Sequence, residues 1–395
     1  KKSLKAYMIA LIFDYLSITI PYVLFMTVSS YTCSNTASPI SMQKCLAFEF
    51  CLISRAGIKH ALKCEAGSSG SARAYISSYR VSMMLATCIS ILAVDFEIFP
   101  RRLAKTETYG SSLMDLGVGS FVFANALVSR QARGLLNMSL GGAIRSSSPL
   151  IILGFARLIS TSTVNYQVHV GEYGVHWNFF FSLAAVAMLT SIFRIHPHNC
   201  AVVGSTILIG YQAALLSGLN KYILFEERGH NIFSQNKEGI LSILGYWGLY
   251  LIGVRIGNYF FIGGSMNQRR ARGVWTLCLF FWLLTLFLDK NVEKISRRMC
   301  NMAYVSLTLA CNLEALAIIM VPGSRSSVVI LEDAFDRNSL ACFLAANVLT
   351  GVVNLCVDTL SVKSASAVFI LLGYTFALCG VAGCADFLGV VLKFW

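Results

Sequence analysis

Apolar runs of bilayer length recur from one end of the chain to the other, and no polar stretch between them is long enough to make a domain. A transmembrane helix needs about 17 to 25 residues of mostly apolar character. Such runs read at Leu11–Val28, Ser78–Phe99, Leu113–Val128 and Leu150–Thr163. Further runs read from His176-Trp177-Asn178 to Phe193, then at Cys200–Leu219, Ile240–Ile262, Val274–Leu288, Met299–Val321, Leu340–Val357 and Ala365–Leu392. Cys45–Leu62 holds Glu49, Arg55, Lys59 and His60 and reads as amphipathic, interfacial or buried. The expectation is an all-α fold, a polytopic transmembrane bundle of about 11 to 13 helices with an intramembrane polar cavity, forming one integral membrane domain over 1–395. The first run is too long for a cleavable signal and lacks a small-residue cleavage pattern, so it is expected to remain as a span.

Composition agrees. Charged residues are 13% of the chain, against about 25% in a soluble domain, and mean hydropathy is +0.66. The net charge of +13 would suggest nucleic acid in a soluble protein. Here the bases sit in short loops, where they meet lipid headgroups or an anionic substrate, so a bilayer and no nucleic acid are the expected surroundings. The 13 cysteines are scattered without metal spacing. No internal repeat is visible, which disfavours an inverted-repeat transporter. Lys and Arg are nearly balanced on alternate loops, leaving orientation open.

Local signals add detail. Pro100 is expected to end the helix before it. Pro149 suits the start of the next helix, which carries Arg157 near its middle. Residues 129–148 read as a basic loop containing the sequon Asn137-Met138-Ser139. Residues 220–239 read as a solvated charged loop, and 322–338 as a polar loop. Asn312 and Glu314 are expected to be buried in their span, and Arg255 and Asn258 lie in another.

Several ionisable or amide groups fall within spans or at their mouths: Asp95, Lys105, Asp115, Arg157, His176, Asn178, Arg255, Glu314, Asn347 and Asn354. Polar groups at membrane depth are costly and tend to mark function. Asn347 and Asn354 are seven apart, which puts them on one helix face. Asp95 is the best-placed general base, because a partly buried carboxylate has its pKa raised toward neutrality. Lys105 could reach back across Pro100 to stabilise an oxyanion or bind phosphate. The competing reading for Asp95 is a structural ion pair with Arg101, Arg102 or Lys105. The three cations themselves could be interfacial anchors. His176 is the rival base, or else a helix-start histidine beside interfacial Trp177. There is no H-x-x-x-x-D, G-x-S-x-G, Walker loop or H-E-x-x-H. A proton-coupled secondary transporter of an anionic substrate is the alternative that this polar set also allows.

The block Val94–Phe121, V-D-F-E-I-F-P-R-R-L-A-K-T-E-T-Y-G-S-S-L-M-D-L-G-V-G-S-F, resembles the signature of the glucosaminyl-phosphatidylinositol inositol acyltransferases, the class W step of glycosylphosphatidylinositol (GPI) anchor biosynthesis. E-Y-G-V-H-W-N-F-F-F at 172–181 and A-N-V-L-T-G-V-V-N-L at 346–355 support it. The resemblance implies a multi-pass endoplasmic reticulum enzyme of about 13 helices. It would be a membrane-bound O-acyltransferase moving a fatty acyl group, typically palmitoyl, from acyl-CoA to the inositol 2-hydroxyl of glucosaminyl-phosphatidylinositol. Acyl-CoA would be the co-substrate, with no cofactor and no metal. The resemblance makes Asp95 and Lys105 the catalytic pair. Arg101 and Arg102 would bind phosphates, and Glu107, Tyr109, Asp115, His176, Asn178, Asn347 and Asn354 complete the expected substrate-binding set. The chain departs from the family pattern in a shorter amino-terminal portion and over Ala56–Ala74.

Overall fold

The computed structural model describes residues 3–27, 72–135, 140–163, 170–261, 268–321 and 329–391. The expected readings for Cys45–Leu62, for 56–71 and for the sequon at 137–139 lie outside the described residues. Among the described residues the chain is helical, without strands. We number the helices α1 (Leu4–Thr27), α2 (Ala72–Ala93), α3 (Leu113–Leu127), α4 (Leu140–Thr163), α5 (Phe179–Phe193) and α6 (Cys200–Leu224). They continue as α7 (Lys237–Phe261), α8 (Gln268–Asn291), α9 (Met302–Ile319), α10 (Ile330–Arg337), α11 (Ser339–Cys356) and α12 (Ser364–Phe387). Nine of these are long and apolar enough to cross a membrane, and α3 and α5 are shorter apolar helices. The chain is a multi-pass membrane bundle, as the apolar runs require.

Four boundaries differ from the sequence reading, each for a local reason. The helix expected to start at Pro149 starts at Leu140, with Pro149 inside it. Proline has no N–H for the Arg145 carbonyl, and the Ser148 hydroxyl donates to that carbonyl instead, at 2.9 Å. The helix expected to reach Phe99 ends at Ala93, and tight turns follow: Asp95 N–H donates to Leu92 and Phe96 N–H to Ala93. Asp95 therefore sits in the turn beyond the span. The solvated part of the charged stretch 220–239 is confined to 225–233, which is largely exposed, because α6 runs on to Leu224 and α7 already begins at Lys237, where Lys237 and Glu238 are buried. Within 322–338, residues 330–337 form α10, whose apolar side (Leu331, Ala334, Phe335) is buried.

The core comes in two main parts. One joins α3, α7, α8 and α9, with the first turns of α2. The other joins α1, the rest of α2, α10, α11 and α12. Polar contacts tie the second part together. Leu331 N–H donates to Asp14, Tyr7 to Asp386, and Arg80 pairs with Asp336 at 2.7 Å. Phe121, Phe179, Phe180 and Phe343 meet edge-to-face or tilted, and so link α3, α5 and α11 across the seam between the two parts.

Helix lengths position the site. α5 and α6 meet at the tight turn 194–199, where Asn199 N–H donates to His196. At about 1.5 Å per residue α5 is about 22 Å long, and its start lies beside the first turn of α7, where Trp177 meets Gly239. α3 is short at that same end. Its last residue, Leu127, lies against Gly257, from which α7 continues about 30 Å to Lys237 whereas α3 continues about 21 Å to Leu113. Loops 94–112, 170–178, 225–236 and 292–301 fill the recess. They are bonded to each other and to the start of α7: Gly110 N–H to Ile295, Ser296 Oγ to Thr108, Val175 N–H to Gln235 and Gly239 N–H to Tyr173. These bonds satisfy much of the non-helical backbone of the loops within the protein.

The α3–α7 approach gives a test. A Cβ on Gly257 would lie 2.5 Å from the Leu127 carbonyl oxygen, which is backbone and cannot rotate away. Gly257→Ala is expected to destabilise by about 1–3 kcal/mol in thermal unfolding of the detergent-solubilised protein. Gly380→Ala, where a Cβ meets nothing within 4 Å, should leave stability unchanged or slightly raised.

Candidate functional site

The recess is organised by charge. Asp115 begins α3 as the third residue of a capping box with Ser112, and it is 1% exposed. Its carboxylate accepts from the backbone N–H groups of Thr106 and Ser112, from both their hydroxyls, and from Arg297 Nε at 2.9 Å. Arg297, 4% exposed, reaches Glu172 Oε1 with its Nη2 at 3.2 Å. Lys105 Nζ lies 2.7 Å from the same Oε1. Asp115, Arg297, Glu172 and Lys105 thus form a line of alternating charge that crosses three loops. Its exposure rises along the line to 46% at the Lys105 side chain. Burial alone would raise the Glu172 carboxyl, but Arg297, Lys105 and Arg157 together hold it below the ordinary glutamate range.

Beside it stands a second cluster. Glu238, fully buried, accepts from both terminal nitrogens of Arg228, at 2.9 and 2.6 Å, and from Arg298 at 2.8 Å. Buried Lys237 donates to the carbonyls of Tyr222 and Glu226. Adjacent arginines in one short loop therefore serve three carboxylates, Arg297 those of Asp115 and Glu172 and Arg298 that of Glu238.

Asp95 belongs to neither cluster. It is half-buried, and Asn354 Nδ2 donates to its Oδ2 at 2.9 Å. Among the described residues its Oδ1 accepts no hydrogen bond. Desolvation raises the Asp95 carboxyl above its ordinary value, opposed by the Asn354 hydrogen bond and the Arg101 charge. Arg101 itself donates to the Val94 carbonyl. The two expected catalytic groups make no hydrogen bond or ion pair with each other among the described residues. Asp95 is tied to α11, and Lys105, ten residues on in the same loop, is paired with Glu172 and not with Asp95.

The other expected site residues divide. Arg101, Lys105 and Glu107 are exposed, Arg102 is half-buried, and all four lie on the 94–112 loop at the recess. Tyr109, also there, packs half-buried against a small cluster containing Tyr211 and Met299. His176 is exposed, with its backbone N–H donating to Asn236. Asn178 is not available as expected. It caps α5 by accepting from Phe180 and Phe181 N–H, and its Nδ2 donates to the Gly154 carbonyl, which pins α4 to α5. Asp115 is likewise fully engaged in the cap and ion pair. Asn347 and Asn354 share a face of α11, as their spacing requires, and that face is the exposed one. Asn347 donates back to the Phe343 carbonyl of its own helix, and only Asn354 joins Asp95. In the spans, Tyr79 donates to Asn312, Trp282 to Glu314 and Arg255 to Asn258, so these polar groups bind helix to helix or brace α7. Sequence reasoning passed over Glu172, Arg297 and Glu238. The one available signal was a carboxylate or arginine pair within a few residues of a span.

Comparison with known proteins matches the GWT1 family model to residues 1–385, a range that takes in Ala56–Ala74, where the sequence departs from the expected pattern. An Arabidopsis thaliana protein named as uncharacterized is 49% identical over 394 residues, covering 98% of this chain and 89% of that one. The Dictyostelium discoideum phosphatidylinositol-glycan biosynthesis class W protein is 37% identical over 374 residues, covering 82% and 76%. The Aspergillus fumigatus GPI-anchored wall transfer protein 1 is 38% identical over 359 residues, covering 78% and 71%.

Removing one member of a buried ion pair strands the other. Arg297→Gln is therefore expected to destabilise by about 3–5 kcal/mol in thermal unfolding in detergent. The Glu172 carboxyl is lowered on folding, so its contribution is present above the ordinary glutamate value of about 4.3 and is lost as pH falls through its lower folded value. Acid titration of the melting temperature should show this loss in the native protein and not in Glu172→Gln.

Proposed function

The chain belongs to the GWT1 family, and from that membership together with the recess we propose that it is the acyltransferase of the inositol acylation step in GPI-anchor biosynthesis. In this reading it moves a fatty acyl group, palmitoyl as the typical donor chain, from acyl-CoA to the inositol 2-hydroxyl of glucosaminyl-phosphatidylinositol in the endoplasmic reticulum membrane. Acyl-CoA is a co-substrate, and the chemistry needs no cofactor and no metal.

The observation that carries the reading is Asp95. It is a half-buried carboxylate just past the end of a span, with one oxygen held by Asn354, the other accepting no hydrogen bond among the described residues, and a burial-raised pKa suited to a general base. Asp95 takes the proton of the inositol hydroxyl as that oxygen attacks the thioester carbonyl carbon. The carbon–sulfur bond then breaks, and the departing thiolate of coenzyme A receives the proton back from Asp95. Lys105, half exposed at the end of the charge line, offers an ammonium to the developing oxyanion or to a substrate phosphate. Arg101 and Arg102 on the same loop meet the phosphates of coenzyme A or of the lipid. The exposed apolar faces of α4 and α11 give an acyl chain a surface to lie along.

The deciding experiment incubates the purified protein in nanodiscs with palmitoyl-CoA and glucosaminyl-phosphatidylinositol and looks for the acylated lipid by mass spectrometry. Absence of product, together with uptake of an anionic solute by proteoliposomes lacking acyl-CoA, would replace the acyltransferase by the transporter alternative.

Two variants follow from the mechanism. Asp95→Asn should fold normally and lose about 10²- to 10⁴-fold in kcat. In the native protein the acid limb of kcat/KM should lie above the ordinary aspartate value of about 3.9. Asn354→Leu removes a donor that favours the charged carboxylate, so it should move that limb to higher pH. Lys105→Arg keeps a cation but replaces a compact ammonium by a planar guanidinium, and should lower turnover by about 10²-fold or more with stability little changed.

A further inference from the structure

The 104–110 backbone is fixed without help from Glu172. Thr106 donates its N–H and hydroxyl to Asp115, Ser296 donates to the Thr108 carbonyl, and Gly110 donates to Ile295. The Lys105 side chain, by contrast, has one polar partner among the described residues, the carboxylate of Glu172. Glu172 in turn is held from behind by Arg297, which Asp115 clamps. A lysine has four rotatable side-chain bonds and loses on the order of 2 kcal/mol of rotamer freedom when fixed, so a half-exposed one keeps a single direction only if something holds its end.

We infer that Glu172 is a positioning residue for Lys105: its carboxylate, braced by Arg297, sets where the Lys105 ammonium points in the recess. The inference rests on the acyl-transfer reading above and deepens it. The charge order explains why the brace works in one direction. With Glu172 present, each cation in the line has an anion beside it. With Glu172 neutral, Arg297 keeps Asp115, but Lys105 faces the Arg297 guanidinium without the carboxylate that both share in the native protein, and its flexible end swings away. Arg297 cannot move, because it is buried and bonded at its Nε. Glu172 therefore acts on the side chain of Lys105 and leaves the loop that carries it in place.

Two measurements test this on the full-length protein in nanodiscs. The first is a double-mutant cycle on acyl transfer with Lys105→Met, Glu172→Gln and the pair combined. Each single change is expected to lower kcat about 10- to 100-fold with a much smaller change in KM for the lipid acceptor, and Glu172→Gln should add nothing in the Lys105→Met background. Losses that multiply in the double variant would overturn the inference, because Glu172 would then act independently of Lys105. The second measurement does not depend on turnover. An amine-reactive ester is used to label lysines, read by peptide mass spectrometry, with exposed Lys363 as the internal standard. Labelling of Lys105 should speed up in Glu172→Gln relative to Lys363, and an unchanged ratio would overturn the inference. If Glu172→Gln does not fold, Glu172→Asp keeps the charge beside Arg297 and shortens the reach to Lys105, and the same two readouts should move in the same directions. A wild-type protein with no transfer activity would count against the acyl-transfer reading alone, since the labelling ratio still decides the role of Glu172.

Discussion

The line of alternating charge from Asp115 through Arg297 and Glu172 to Lys105 joins parts of the chain that are far apart in sequence and holds the recessed end of the bundle in shape. Such groups are expensive to bury singly, and each here has an opposite charge within about a hydrogen-bond length. Asp115 serves several purposes at once. It caps the short helix α3, where a carboxylate also meets the positive end of the helix dipole, it closes the 104–112 loop, and it anchors Arg297. Without that anchor the loops after α2, before α5 and before α9 would be joined by fewer contacts, among them Ser296 Oγ to the Thr108 carbonyl and Tyr109 against the cluster containing Met299.

A short helix creates the space that these charges fill. α3 starts about 9 Å short of the start of α7, and irregular backbone occupies the remaining length. Asn178 and the Ser112–Asp115 box satisfy orphan N–H groups at the starts of α5 and α3. The recess also lies beside the seam between the two parts of the core. Asp95 is bound to α11 on one side, and Lys105 to the loops of the other side. A substrate held between them would touch both parts, so the relative position of the two bears directly on the distance between proton acceptor and cation.

Much of the architecture is legible in the residues alone. Apolar runs of bilayer length can only be spans, and the eleven runs read from the sequence correspond to the nine long and two shorter apolar helices among the described residues. Errors came where a local rule met a tertiary partner. Pro149 looked like a helix start because its missing donor is costly inside a helix, until Ser148 took the carbonyl. Residues 220–239 looked solvated throughout because six charges among polar residues are normally wet, and at their end Glu238 is instead buried against Arg228 and Arg298.

The sequence by itself determined the class of protein, the spans, the family and the loop in which a base and a cation stand ten residues apart, because hydrophobic length and a contiguous motif are written locally. It could not say what those two groups touch. Lys105 looked like the partner of Asp95 because they are neighbours along the chain. The tertiary structure assigned Lys105 to Glu172, 67 positions away, and Asp95 to Asn354, 259 positions away. Partner choice between charges is settled by which loops the folded bundle brings into contact, and that depends on the packing of the whole chain.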